Sequence, residues 1–205
     1  MKRSWTVFGV IAGIVVIFGL LLAGSYNGLV TSRESVRSAI NNLQSQYQRR
    51  ADLVPNLVAT VKGSADFEQT TLNQVVEARA KATSITIDPT NVTSEQLQQF
   101  QSAQSGLSSA LGRLIAVAEN YPDLKSTAAF QDLMTQLEGT ENRIQVARAD
   151  YGKAAQAYNT KIQRFPTNIS AGLFGFTPFP YFSADQGASV APKVDFNPTP
   201  APAAQ

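Results

Sequence analysis

The sequence contains no cysteine and no histidine. Without cysteine there is no disulfide, no thiolate nucleophile and no Cys-ligated zinc. Without histidine the commonest general base and the commonest transition-metal ligand are missing as well. This double absence is the strongest argument against an enzyme, and no recognised motif gathers Ser, Lys, Asp, Glu and Tyr into a catalytic group. No cofactor and no metal are expected. Charge is also scarce: charged residues are 16% of the chain and the formal net charge is +2. That balance, with no basic run, excludes a nucleic-acid partner as the working reading. A length of 205 residues allows one ordinary domain plus accessory segments.

The longest gap in charge lies between Arg3 and Arg33. Within it, residues 6–25 (TVFGVIAGIVVIFGLLLAGS) make a helix of about 30 Å, the thickness of a hydrocarbon core. Trp5 and Tyr26 bracket the stretch as interfacial aromatics. The competing reading is a cleaved signal peptide, because Ala23-Gly24-Ser25 offers a small-residue site. The apolar stretch exceeds the usual h-region of about 7–15 residues, which favours a retained single-pass anchor at 6–26 in the lipid bilayer. A lipoprotein box is excluded, since Ser25 stands where a lipidated cysteine is required. Lys2 and Arg3 on the short side weakly place the N-terminus in the cytoplasm and the bulk of the chain outside it.

Beyond the span, apolar residues recur in steps of three and four from Val36 through Ile40, Leu43, Tyr47, Val54, Leu57, Val61, Leu72 and Val75. This predicts one helix from Leu29 to about Lys81, kinked or split at Pro55. Thr83 to Val92 is a turn region, and Thr93 to Gln96 matches a capping box opening a second helix that stops at Pro122. A third helix is expected from Ser126 or Thr127 to about Arg164. The fold class is therefore all-α: a long antiparallel three-helix bundle, four if Pro55 splits the first helix, preceded by a transmembrane helix. The expected organisation is a short segment 1–5, a span 6–26, a bundle 27–165, a Pro/Gly- and aromatic-rich tail 166–196 and a disordered end 197–205. The tail holds five aromatics between Leu173 and Phe182 and shows no helical period. Its rings, Phe174 and Phe176 among them, are expected to shelter on the bundle, a neighbour or the membrane.

Several stretches read together as a family pattern: YNGLV at 26–30, RRADLVPNLVATVKG at 49–63, ENYPDLK at 119–125, LEGTENRI at 137–144, FGF at 174–176 and APKVDF at 191–196. In this order they resemble the LemA family. The resemblance implies a membrane-anchored helical bundle of the bacterial envelope with no settled biochemical activity. LemA-like proteins also occur in magnetosome membranes and some are encoded near membrane metalloproteases, so the resemblance suggests roles in membrane organisation or envelope quality control. Residues 64–68 depart from the pattern, because Phe67 stands where the family carries a histidine.

Candidate sites follow from polar residues on apolar faces. Glu68 and Glu141 both interrupt the stripe, and antiparallel pairing sets both level with residues 104–112 (QSGLSSALG). The small side chains there, Ser105, Ser108 and Ser109, would let helices approach and offer hydroxyls to the carboxylates, with Asn142 and Arg143 beside Glu141. A register-fixing polar layer is the bland reading and a cation or ligand site the sharper one. A di-iron site is ruled out because its Glu-x-x-His motif cannot be made. Arg49-Arg50 reads as a solvated face or an anionic-lipid contact. Asn120 and Tyr121 mark a helix stop that could double as a recognition loop. Two function classes remain: an anchored scaffold that forms a homo-oligomer or recruits a membrane-protein partner, or a binding module with a ligand or peptide groove between helices.

Overall fold

A computed structural model describes residues 2–63 and 68–183. The 64–67 departure, APKVDF and the 197–205 end lie outside the described residues. Those described form six helices: α1 Lys2–Lys62, α2 Gln69–Ser84, α3 Ser94–Ala118, α4 Pro122–Lys125, α5 Ala128–Gln163 and α6 Thr167–Leu173. α1 runs without interruption from the apolar stretch into the bundle. From Phe8 to Leu21 its residues are exposed; from Leu29 the stripe Val36, Ile40, Leu43, Tyr47, Val54, Leu57 and Val61 is buried.

The expected first helix is corrected in its end, which falls at Lys62 rather than near Lys81, while of the two alternatives at Pro55 the helix continues through it. Proline removes the N–H that would bond the carbonyl four residues back, at Ala51. Arg79 of α2 fills that vacancy, donating from Nε to the Ala51 carbonyl at 2.8 Å. The helix persists because a side chain supplies the missing donor. Its break instead falls after Lys62, and α2 is a separate helix that contacts α1.

α5 packs on α1 and α3 on α2, while α2 also contacts α1. α3 opens with its capping box complete: Thr93 Oγ accepts from Gln96 N–H at 3.2 Å and Gln96 Oε1 accepts from Thr93 N–H at 3.3 Å. It stops at Ala118, and Pro122 opens the one-turn α4. Tyr121 packs half-buried on the distal core, Asn120 is exposed, and Lys125 pairs with Glu119 across the ENYPDLK segment.

The tail is also corrected: it contains α6, which packs on α1 and α5. The FGF segment ends α6. Gly175 has φ +69°, a left-handed conformation that favours glycine, and Phe176 N–H reaches back to the Ala171 carbonyl at 2.9 Å. This reversal sends Phe176 into the core, while Phe174 stays half-exposed against Tyr26, ring centroids 4.8 Å apart. Phe179 is buried, Phe182 is partly buried and Tyr181 is half-exposed, so the shelter of the five rings is uneven.

Candidate functional site

The buried apolar residues fall into two clusters. The first joins Leu29 to Tyr47 with Phe100, with Ile144 to Ile162, and with the tail residues Phe176 and Phe179. The second joins Val54 to Val61 with Leu72 to Ala82, Leu107 to Ala118 and Phe130 to Leu137. Between them lies a polar layer built on Arg50, which is 3% exposed.

Arg50 reaches three residues on two other helices at once. Nη1 donates to Ser108 Oγ at 2.6 Å and to Glu141 Oε2 at 2.9 Å. Nη2 donates to the backbone carbonyl of Gln104 at 3.0 Å and to its Oε1 at 2.9 Å. Gln104 passes the network on, donating from Nε2 to the Ala82 carbonyl at 3.1 Å. The guanidinium also stands 5.1 Å from the Tyr47 ring centroid. A buried guanidinium is costly unless its donors are met, and four bonds with one charged partner offset much of that cost. Because Arg50 bonds to α3 and α5 together, it closes the seam between helices that pack chiefly on other partners. A cavity of about 360 Å³ opens there, lined by Arg50, Leu111, Ile115, Met134, Leu137 and Glu141 among others.

The sequence-level layer is therefore corrected in its membership. Glu141 stands level with Ser108 and Gln104, but its side chain is 46% exposed rather than buried. Glu68 does not join; it is exposed before α2, where it accepts from Thr71 Oγ1 at 3.2 Å. Ser105, Ser109, Asn142 and Arg143 all face solvent, and Ser109 instead borders a groove of about 600 Å³ between α2 and α3. Of these serines Ser108 joins the layer, but its Oγ accepts from Arg50 instead of donating to a carboxylate. Arg50, the hub, is expected on a solvated face or at lipid; yet Tyr47, Arg50 and Val54 are spaced three and four apart, which puts Arg50 on the buried face.

Two further polar devices carried no sequence signal. Asn159 donates from Nδ2 to the Phe179 carbonyl at 2.8 Å and accepts from Phe179 N–H at 2.9 Å. Gln44 makes the same paired clasp on Ile87, both bonds 3.0 Å. A carboxamide offers one donor side and one acceptor side, so it can mimic a neighbouring backbone for a segment outside any helix. Tyr151 adds to the tail clasp by donating to the Pro180 carbonyl at 2.8 Å. Burial, with the nearby Tyr181 phenol, pushes its pKa up to about 12. Among the described residues no three Asp or Glu side chains converge as a metal site.

The family model described as the LemA family matches residues 39–196, which contain the Arg50 layer, both carboxamide clasps and the FGF turn. Magnetosome protein MamQ 2 of Paramagnetospirillum magneticum is 31% identical over 82% of this chain and 68% of its own length. Magnetosome protein MamQ of Magnetospirillum gryphiswaldense is 28% identical over the same shares. Protein LemA of Metamycoplasma hominis is 26% identical, over 76% of this chain and 67% of its own. On the extent of the family match and the identity to MamQ 2, the chain belongs to the LemA family.

Proposed function

We propose that this protein is a membrane-anchored helical scaffold of the bacterial envelope, which works by presenting a rigid bundle to partners rather than by catalysis. The observation that carries the reading is α1 itself: one helix joins an exposed apolar stretch of membrane-spanning length to the centre of the packed body. A polar layer with a single buried cation favours a fixed register over a reactive site. The magnetosome relatives are named for a membrane-bounded structure, which agrees with a role at a membrane. In this reading the body lies outside the cytoplasm and the protein self-associates or holds a membrane-protein partner. Light scattering on detergent-solubilised full-length protein, with crosslinking in native membranes, tests it. A defined multimer or one recurrent crosslinked partner is expected. A monomer with no recurrent crosslink overturns it. A C-terminal reporter active only in the cytoplasm would reverse the sidedness.

The seam between α3 and α5 favours a second reading, an anchored binding module. Leu111, Ile115, Met134 and Leu137 beside the Arg50–Glu141 pair form an apolar cleft with one polar edge. Ligand-dependent stabilisation lost in Leu137→Ser but retained in surface variants would select this reading over the scaffold.

A further inference from the structure

The bundle's lower end carries an apolar patch that the described residues leave uncovered. Phe165 is 81% exposed, Leu173 66%, Phe174 50% and Ile169 44%. These residues end α5 and line α6. Their height along α1 is fixed by two contacts. Lys161 Nζ donates to the Gly28 carbonyl at 2.6 Å, and the antiparallel α5 ends two residues later at Gln163, at about the level of Tyr26, with Phe165 just past its end. Phe174 meets Tyr26 edge-on, and Phe176 lies 5.7 Å from the same ring. Leu22 is the first residue of the described apolar stretch that is partly covered rather than exposed. The patch therefore overlaps in height with the end of the uncharged stretch.

Charge around the patch has one dominant sign. Arg33 lies 4.9 Å from the Phe176 ring centroid, Lys161 holds Gly28, and Arg164 is exposed beside Phe165. The carboxylate nearest in the described chain, Glu34, is already paired with Arg37. Apolar rings flanked by cations suit a bilayer boundary, where aromatic side chains sit among headgroups and cations meet lipid phosphates.

We infer that α6 and its flanking aromatics form a second membrane contact, lying in the headgroup layer beside α1, with an anionic phospholipid surface as the occupant of the patch. The inference rests on the reading of α1 as a membrane anchor. Contact at two places fixes the body's height and its rotation about α1, which one spanning helix alone does not.

The absence of cysteine makes the test direct, because each introduced thiol is unique. Full-length Leu173→Cys, Ile14→Cys and Ser105→Cys are labelled with a fluorophore and reconstituted into anionic phospholipid vesicles. Quenching by nitroxide-bearing lipid is compared with quenching by aqueous iodide. The label at 173 is expected to be quenched by lipid severalfold more than that at 105, and shielded from iodide like that at 14. Lipid quenching at 14 with water access at 173 overturns the inference and leaves the anchor standing. Shielding at 173 from both quenchers also overturns it, since another protein surface then covers the patch. No lipid quenching at 14 overturns the anchor and the inference with it.

Discussion

At the scale of single residues, burial is unequal within the Arg50–Glu141 pair. The guanidinium is almost wholly buried and the carboxylate is nearly half in water. Removing Glu141 strands a buried cation with only neutral acceptors, whereas removing Arg50 lets Glu141 return to solvent. Glu141→Gln is expected to cost about 2 kcal/mol of unfolding free energy, and Arg50→Met combined with it to cost less than the sum of the two single changes. Denaturant unfolding of the four-member cycle measures this, and additive costs would remove the pair from the account of the layer. The sequence reading reached the height of Glu141 along α3 but missed Arg50. Its neighbour Arg49 is chemically identical and exposed, so only helical phase separates the two residues. The serines around Ser108 show the same limit: their order in sequence does not reveal which one faces the guanidinium.

At the scale of elements, the helices were legible because apolar spacing and capping chemistry agree. The capping box before α3 and Thr127 before α5 are local signals, complete within four residues. The break after Lys62 was not legible. The stripe keeps its phase from Val61 to Leu72, so periodicity reads through a turn that only Gly63 hints at, while Pro55 falsely advertises one. Since Arg79 supplies the donor Pro55 lacks, Arg79→Met should cost about 1–3 kcal/mol by orphaning the Ala51 carbonyl. In a Pro55→Ala background the backbone bond returns and most of that cost should vanish; equal costs in both backgrounds would refute the compensation. The tail depends on side-chain clasps without a period, so no spacing signal marks α6. Asn159→Leu should free residues 174–183, visible as faster proteolysis there with the helices still protected.

Alkali probes the same clasp. The Tyr151 phenol has its folded-state pKa raised to about 12, against an ordinary value of 10.0. Folding therefore favours the protonated phenol. Its contribution is fully present below pH 10 and is lost as pH rises toward 12. Unfolding free energy should fall across that window, and Tyr151→Phe should flatten the slope while removing the hydrogen bond to Pro180. An unchanged slope in the variant would assign the alkaline loss to other groups, Tyr158 first among them, whose pKa burial also raises.

At the scale of the whole molecule, the retained anchor predicts that full-length protein stays with membranes through carbonate and high-salt washing. Recovery of a mature chain beginning at Tyr26 or later would show cleavage instead. If the anchor holds, the absence of any joint in α1 acquires a mechanical meaning. From Tyr26 to Lys62 the helix rises about 54 Å without a break. Lys161 fastens α5 to it near the foot, and Arg79 reinforces it at Pro55. A tilt of about 20° in the span, an ordinary value, then swings the far tip sideways by roughly 18 Å. The protein behaves as a lever whose fulcrum is the bilayer, so a change in membrane thickness or curvature at its base becomes a displacement at its tip.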